Sequence, residues 1–406
     1  MGATINDSQV IKDDLSAFSR LSGLRRRVSQ AELGSLPVVL GLIVIWLVFQ
    51  AANDKFLTPL NLTNLMLQAA AVSTISVGVV LVLMLGEIDL SVGWVSGLCA
   101  AVMAALNVKN GVPGPLAMLA GLIVGMLIGW LQGMWITRLR VPSFIVTLAG
   151  FLAWQGALLF VLGNTGTVNL RDPFILSLAG TFYPPEVGWT LGVLFIVAYV
   201  VKEVGERRRR LRAGLSVSSS RALLGRALLL AAGVLGATAI FNTDRGLPSA
   251  VAILIGTISL FDLVTKHTVF GTYMFAVGGN SEVARRAGIN TDRVRVVIFM
   301  LTSTLAAVGG ILAASRLLAV NQNSGSSDTL LNAIGAAVIG GTSLFGGRGS
   351  VWSALLGALV IFSISNGMDL LALPSPLKYI VTGVVLLATV TIDALVRHRR
   401  EIAGHA

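Results

Sequence analysis

Two acidic side chains stand out by where they fall. Glu87 and Asp89 lie in Leu85-Gly86-Glu87-Ile88-Asp89-Leu90-Ser91-Val92-Gly93, a short polar break between two long apolar runs. A carboxylate beside so much apolar chain carries a high desolvation cost, so it needs either a structural partner or a polar pathway. Two readings stand side by side. Asp89 or Ser91 can cap the helix that follows by accepting its free N–H groups. Alternatively, Glu87, Asp89 and Ser91 line a pathway or a gating joint. The glycines around them mark a tight helix break. Trp154, Gln155, Asn164, Asn169 and Asn366 are further polar or amphipathic residues close to apolar runs. Asn and Gln can hydrogen-bond a hydroxylated solute, and they equally join helices.

Other chemistry is missing. None of the six lysines (Lys12, Lys55, Lys109, Lys202, Lys266 and Lys378) is preceded by Gly and followed by Ser or Thr, so no loop of the phosphate-cradling type is present. If ATP drives this protein, another chain hydrolyses it. His267, His398 and His405 do not pair at metal-ligand spacing. No histidine falls in an expected span, which argues against an intramembrane enzyme, and the sequence predicts no catalytic residue, metal or cofactor. Cys99, the single cysteine, reads as a small buried residue. Nearly all of the 19 acidic residues lie in loops or, like Asp262, Asp369 and Asp393, near expected helix ends. A carrier driven by an ion gradient more typically buries isolated carboxylates in mid-span; that class is the alternative reading.

The elements that must position these residues are helices in a bilayer. The chain is 55% hydrophobic and 12% charged, against about 25% charged in soluble domains. Residues 115–137 carry no charge and, at ~1.5 Å per residue, reach across a hydrocarbon core of ~30 Å. Twelve such spans are expected: 36–52, 64–86, 88–107, 115–137, 143–162, 188–201, 223–241, 249–264, 294–315, 331–346, 351–369 and 377–395. The fold class is therefore all-α, polytopic and membrane-embedded. With the N-terminus in the cytoplasm, 24 of the 30 Lys and Arg fall in cytoplasmic stretches and 6 in the opposite loops, a strong positive-inside bias. Both termini are then cytoplasmic: a tail over 1–35, too long for a signal peptide, and a tail over 397–406, flanking a membrane domain over 36–396. The net charge of +11 comes from loop clusters such as Arg25-Arg26-Arg27 and Arg207-Arg208-Arg209-Arg210, which argues against a nucleic-acid partner. Gly121, Gly125, Gly129 and Gly133 recur every fourth residue and mark one face for close helix packing. Residues 86–93 and 340–347 (GGTSLFGG) share three identities in eight, but both fall on the cytoplasmic side, which does not fit a simple inverted repeat.

The cytoplasmic loop over 265–295 contains Gly278-Gly279-Asn280-Ser281-Glu282-Val283-Ala284-Arg285-Arg286-Ala287-Gly288. Asn280 or Ser281 can cap a short helix, and Gly288 suits its left-handed C-terminal position. Such a helix either inserts into a partner's groove or is a solvated connector.

Four stretches, 86–93 (GEIDLSVG), 141–150 (VPSFIVTLAG), 276–290 (AVGGNSEVARRAGIN) and 339–350 (IGGTSLFGGRGS), followed by Ser365-Asn366-Gly367-Met368, carry a resemblance over about residues 60–395. The chain resembles the sugar permeases of bacterial ABC importers, the ribose/xylose/galactose group related to the branched-chain amino-acid permeases. It looks most like the D-xylose branch, which has an extra pair of spans with a basic loop, here about 181–245, added to a ten-helix core. The resemblance implies a multi-pass protein of the bacterial inner membrane that forms the path for a monosaccharide. It implies a second permease copy, a cytoplasmic ATPase holding ATP and Mg, and a periplasmic sugar-binding protein. It also implies that the 265–295 loop couples to the ATPase through Gly278, Gly279, Asn280, Glu282, Ala284, Arg285, Arg286 and Gly288.

Overall fold

A computed structural model describes residues 36–402 except 216 and 218; the expected tail over 1–35 and the last four residues lie outside the described residues. Six helices come before the extra pair: α1 (Leu36–Ala52), α2 (Pro59–Met84), α3 (Val92–Val108), α4 (Gly114–Arg138), α5 (Ser143–Leu162) and the short α6 (Pro173–Gly180). The extra pair is α7 (Pro185–Arg212) and α8 (Ser220–Asp244). Then follow α9 (Ser249–His267), α10 (Val269–Gly279), α11 (Ser281–Arg286), α12 (Thr291–Leu317), α13 (Ser327–Ile339), α14 (Trp352–Leu370) and α15 (Ser375–Ile402). Among the described residues, eight helices (α2, α4, α5, α7, α8, α9, α12 and α14) are long and apolar enough to cross a membrane, and α1, α3, α10, α13 and the first half of α15 are shorter apolar helices.

Two strand pairs check which loops share an end of the bundle. β1 (Thr167–Asn169) pairs antiparallel with β4 (Ala319–Asn321), and β2 (Phe182–Tyr183) with β3 (Leu247–Pro248). All four strands lie in loops that the charge count puts opposite the basic end.

At the centre, α12 packs against α2, α3 and α4. Glycine makes these crossings possible, because without a Cβ two backbones approach closely and dispersion and hydrogen bonds join them. A Cβ at Gly129 would lie 2.2 Å from Phe299 O, at Gly125 2.7 Å from Ser303 O, at Gly133 2.8 Å from Val296 Cα, and at Gly121 2.8 Å from Cys99 O. A Cβ at Gly310 of α12 would lie 2.1 Å from Ser96 O of α3. Thr302 Oγ1 donates to Gly78 O at 3.0 Å, tying α12 to α2.

Several expected limits move. The span placed at 188–201 belongs to a 28-residue helix, and Arg207 to Arg210 form its last turns rather than a loop. Glutamate, lysine and arginine are good helix formers, so the helix runs on past the apolar stretch. The span placed at 331–346 is helical only to Ile339: Gly341, Gly346 and Gly347 adopt positive φ, which ends it. Residues 269–279, expected as loop, form α10, capped by Thr268, whose Oγ1 accepts from Gly271 N at 3.1 Å.

Candidate functional site: a joint at the basic end

The break after α2 is built by one glycine. Gly86 has φ +75°, its N–H donates to Leu83 O at 2.9 Å, and Glu87 N donates to Val82 O at 3.2 Å. This paired pattern closes a helix end around a left-handed residue. Gly341 (φ +99°) ends α13 with the same two bonds, Gly341 N to Val338 O and Thr342 N to Ala337 O. The equivalent glycines are thus Gly86 and Gly341, one residue out of register with the three-in-eight sequence match. Gly288 (φ +85°) closes α11 in the same way, through Gly288 N to Arg285 O and Ile289 N to Ala284 O.

Three glycine-rich segments interlock here. Gly347 N donates to Met84 O at 2.9 Å. A Cβ on Gly278 would lie 1.9 Å from the same Met84 O, and one on Gly346 2.6 Å from Gly278 O. The end of α2, the end of α10 and the loop after α13 therefore touch backbone to backbone. Gly279 has open space where a Cβ would stand.

Neither candidate cap in the break serves α3. Ser91 stands at the cap position with near-helical angles (φ −91°, ψ −15°) and makes no cap bond. Its N and Oγ both donate to Asp89 Oδ1, at 2.8 and 2.7 Å, so Asp89 closes a turn on itself. Gln132 Nε2 donates to Ser91 Oγ at 2.8 Å. A Cβ on Gly150 would meet Gln132 Nε2, Trp154 Nε1 and Ser91 Cβ within 3.4 Å, which places Trp154 beside this cluster. Asp89 is 3% exposed and Gln132 2%. Gln132 was missed in the sequence; it is the lone amide in the charge-free run 115–137.

Glu87 points another way. Its Oε1 lies 2.9 Å from Arg295 Nε in the second turn of α12; the N–H is not aligned as a hydrogen bond, so charge holds this contact. The pair borders a cleft of about 390 Å³ lined also by Arg140, Ser143, Glu282, Arg285 and Asp292. The sequence reading did not single out Arg295; its signal was a basic residue just inside the start of a long apolar helix.

In α11, Asn280 Oδ1 accepts from Glu282 N and Val283 N at 3.1 and 3.0 Å, so Asn280 rather than Ser281 is the cap. Glu282 pairs with both Arg285 and Arg286. Val283 and Ala287 are exposed, whereas Ala284 is 3% exposed and packs into the core. Ala284 therefore anchors α11 to the membrane domain and presents nothing to a partner, a correction to its place among the docking residues.

The other expected pathway residues do not gather here. Asn164 and Asn169 are exposed at the opposite end. Asn366 and Asn61 exchange two amide hydrogen bonds at 2.8 and 2.9 Å, joining α14 to α2. Gln155 is half-buried on α5. No group of three metal-ligating side chains occurs among the described residues.

The fold and the site define a polytopic helical membrane protein with a glycine-built joint and a capped, exposed helix on its basic face. The chain belongs to the family described as branched-chain amino acid transport system / permease component, whose pattern it matches over residues 61–390. It is 38% identical over 383 residues to the xylose transport system permease protein XylH of Escherichia coli K12, covering 94% of this chain and 95% of that one. It is 35% identical to XylH of Haemophilus influenzae, covering 88% and 95%. Identity to the ribose import permease protein RbsC of Bacillus subtilis is 31%, covering 87% and 91%. No solved structure matches.

Proposed function

We propose that this chain is the membrane-spanning permease subunit of an ATP-binding-cassette importer of the bacterial inner membrane, forming the path for D-xylose or a similar pentose. The observation that carries this reading is the 38% identity to a xylose permease along nearly the full length of both chains. In this reading ATP and Mg belong to a separate ATPase, in keeping with the lack of a phosphate-cradling loop in this sequence. A periplasmic binding protein delivers the sugar, and a second permease copy completes the path. Val283 and Arg286 of α11 and the adjoining Ala287 are exposed at the basic end, where a cytoplasmic ATPase would meet them, with the arginines set to steer an acidic rim. Glu87, Asp89 and Ser91 belong to the joint that this docking would move.

The test is uptake of radiolabelled D-xylose into proteoliposomes holding the chain with the ATPase and binding protein that co-purify with it. Uptake should require all three and internal ATP, and Val283→Asp with Ala287→Asp should abolish ATPase stimulation by the loaded binding protein. Uptake without the ATPase, abolished by an uncoupler, would identify an ion-driven carrier instead.

A further inference from the structure

Between the docking helix and the break after α2 lies one cross-element ion pair, and its two ends are unusually well anchored. Glu87 is the residue whose N–H closes the end of α2, so its backbone moves with that helix. Its carboxylate stands five residues before the first residue of α3. Arg295 stands in the second turn of α12. Asn290 Oδ1 caps that helix, accepting from Arg293 N at 2.9 Å. Only residues 287–290 separate α11 from α12, and Gly288 and Ile289 bond back onto α11. A displacement of α11 therefore reaches the first turns of α12 with little slack.

We propose that Glu87 and Arg295 form a positioning pair that passes movement of α11 to the break between α2 and α3. The proposal rests on the permease reading above. The arginines of α11 cannot take this role: their bonds run to Glu282 on the same short helix. Glu87–Arg295 joins two different elements, and both side chains are largely buried (17% and 25% exposed). Partial burial strengthens the attraction relative to water and makes an unpaired charge costly. Glu282 and Asp292 line the same cleft as Glu87, but Glu282 is already paired with Arg285 and Arg286, so Glu87 is the carboxylate that Arg295 holds. The contact is off-axis, so charge rather than a directed hydrogen bond holds it, and it tolerates small shifts of either element.

The experiment measures D-xylose transported and ATP hydrolysed in the same proteoliposomes, with the co-purifying ATPase and binding protein. Glu87→Gln and Arg295→Gln should each lower sugar moved per ATP by about tenfold while hydrolysis continues, because each leaves one buried charge unpaired. The exchanged pair, Glu87→Arg with Arg295→Glu, should restore the ratio to within about threefold of the unaltered chain, as expected where two sites couple directly. Glu87→Asp and Arg295→Lys keep the charges and should retain most of the ratio, so they serve where a neutral variant does not reach the membrane. A normal ratio in both neutral variants overturns the proposal. So does an exchanged pair no better than the worse single variant, or a loss in the charge-keeping variants equal to that in the neutral ones. An unaltered chain that moves xylose without hydrolysis would overturn the permease reading itself, a result distinct from all of these.

Discussion

Helices α2 and α8 are nearly equal in length and both strongly apolar, yet 83% of the apolar stretch of α2 is buried and only 6% of that of α8. In water such a pair could not exist, because apolar surface is what burial removes. In a bilayer, lipid tails are as apolar as leucine, so hydropathy places a helix in the membrane without saying whether it faces protein. What separates the two is the placement of small residues. Gly78 of α2 sits where a Cβ would come within 3.0 Å of the backbone of Thr302, whereas Gly225, Gly233 and Gly236 of α8 have open space there. The four-residue glycine series of α4 is of the first kind at every position. The α7–α8 hairpin touches itself through Gly188 against Asn242 and Gly192 against Thr238, and meets the rest of the domain through Phe195 on Trp352, Lys202 on Asp262 and Arg245 on Asn64.

The sharpest way to break this contrast is to add bulk on each side of it. Gly129→Leu or Gly310→Leu forces a side chain into a carbonyl 2.1–2.2 Å from where its Cβ would stand, and only movement of a whole helix relieves that. Overpacking of this kind costs at least the usual 1–3 kcal/mol or so. Folded protein recovered in mild detergent should fall by about tenfold or more, whereas Gly233→Leu should change it by less than about twofold. Equal losses would show that α8 has a protein partner at that face.

A smaller effect is expected from removing the hairpin altogether. Its base is stitched shut: Tyr183 pairs with Leu247 and Phe182 with Pro248, and Ser249 N donates to Thr181 O at 2.9 Å. Joining Tyr183 to Leu247 by Asn-Gly, which suits a two-residue hairpin turn, deletes an even number of crossings and leaves the orientation of every later helix unchanged. Asp262 loses Lys202 but keeps Lys266 at 2.7 Å. Detergent-stable protein should fall by no more than about threefold, since α8 covers part of α2. Complete loss would make the hairpin part of the core.

The same contrast explains what was legible beforehand. Apolar runs and loop charge outlined the helical membrane fold, and the spacing of Gly121 to Gly133 marked a face that the structure packs against α3 and α12. Helix limits failed where hydropathy and helix formation part company: Arg207 to Arg210 are polar yet helical, and Gly341 ends α13 inside an apolar run. At the joint, the polar break itself was visible in Gly86 to Ser91. Its partners were not, because Gln132 is 41 residues from Ser91, and Arg295 and Gly347 lie further still along the chain from Glu87 and Met84, so only folding brings them to it. Ala284 shows the converse error, since an apolar residue on a six-residue helix carries no sign of which way it faces.

The smallest effect lies at the opposite end, where Asp172, in a loop outside the spans, joins three elements. Its Oδ1 accepts from Phe174 N and Ile175 N at 2.9 and 3.2 Å, capping α6. Its Oδ2 accepts from Gly114 N and Asn107 Nδ2, both at 3.1 Å, fastening the start of α4 and the end of α3. Burial pulls this carboxyl upward, but the bonds from Ile175, Asn107, Gly114 and Phe174 outweigh it and hold the group below the ordinary aspartate range. A depressed folded value means that the unfolded chain binds the proton more readily. The stabilisation is therefore complete above about pH 4, the unfolded value, and is lost as pH falls through the lower folded one. Asp172→Ala should lower the thermal midpoint at pH 7 by a few degrees, in line with about 1 kcal/mol for a lost helix cap. The gap between the variant and the unaltered chain should narrow as the pH is taken below about 4, because protonation then strips the unaltered chain of the same charge-assisted bonds. Midpoints that still differ equally once the pH is well below the ordinary aspartate range would show that the carboxylate's charge contributes nothing and that the loss is one of shape alone.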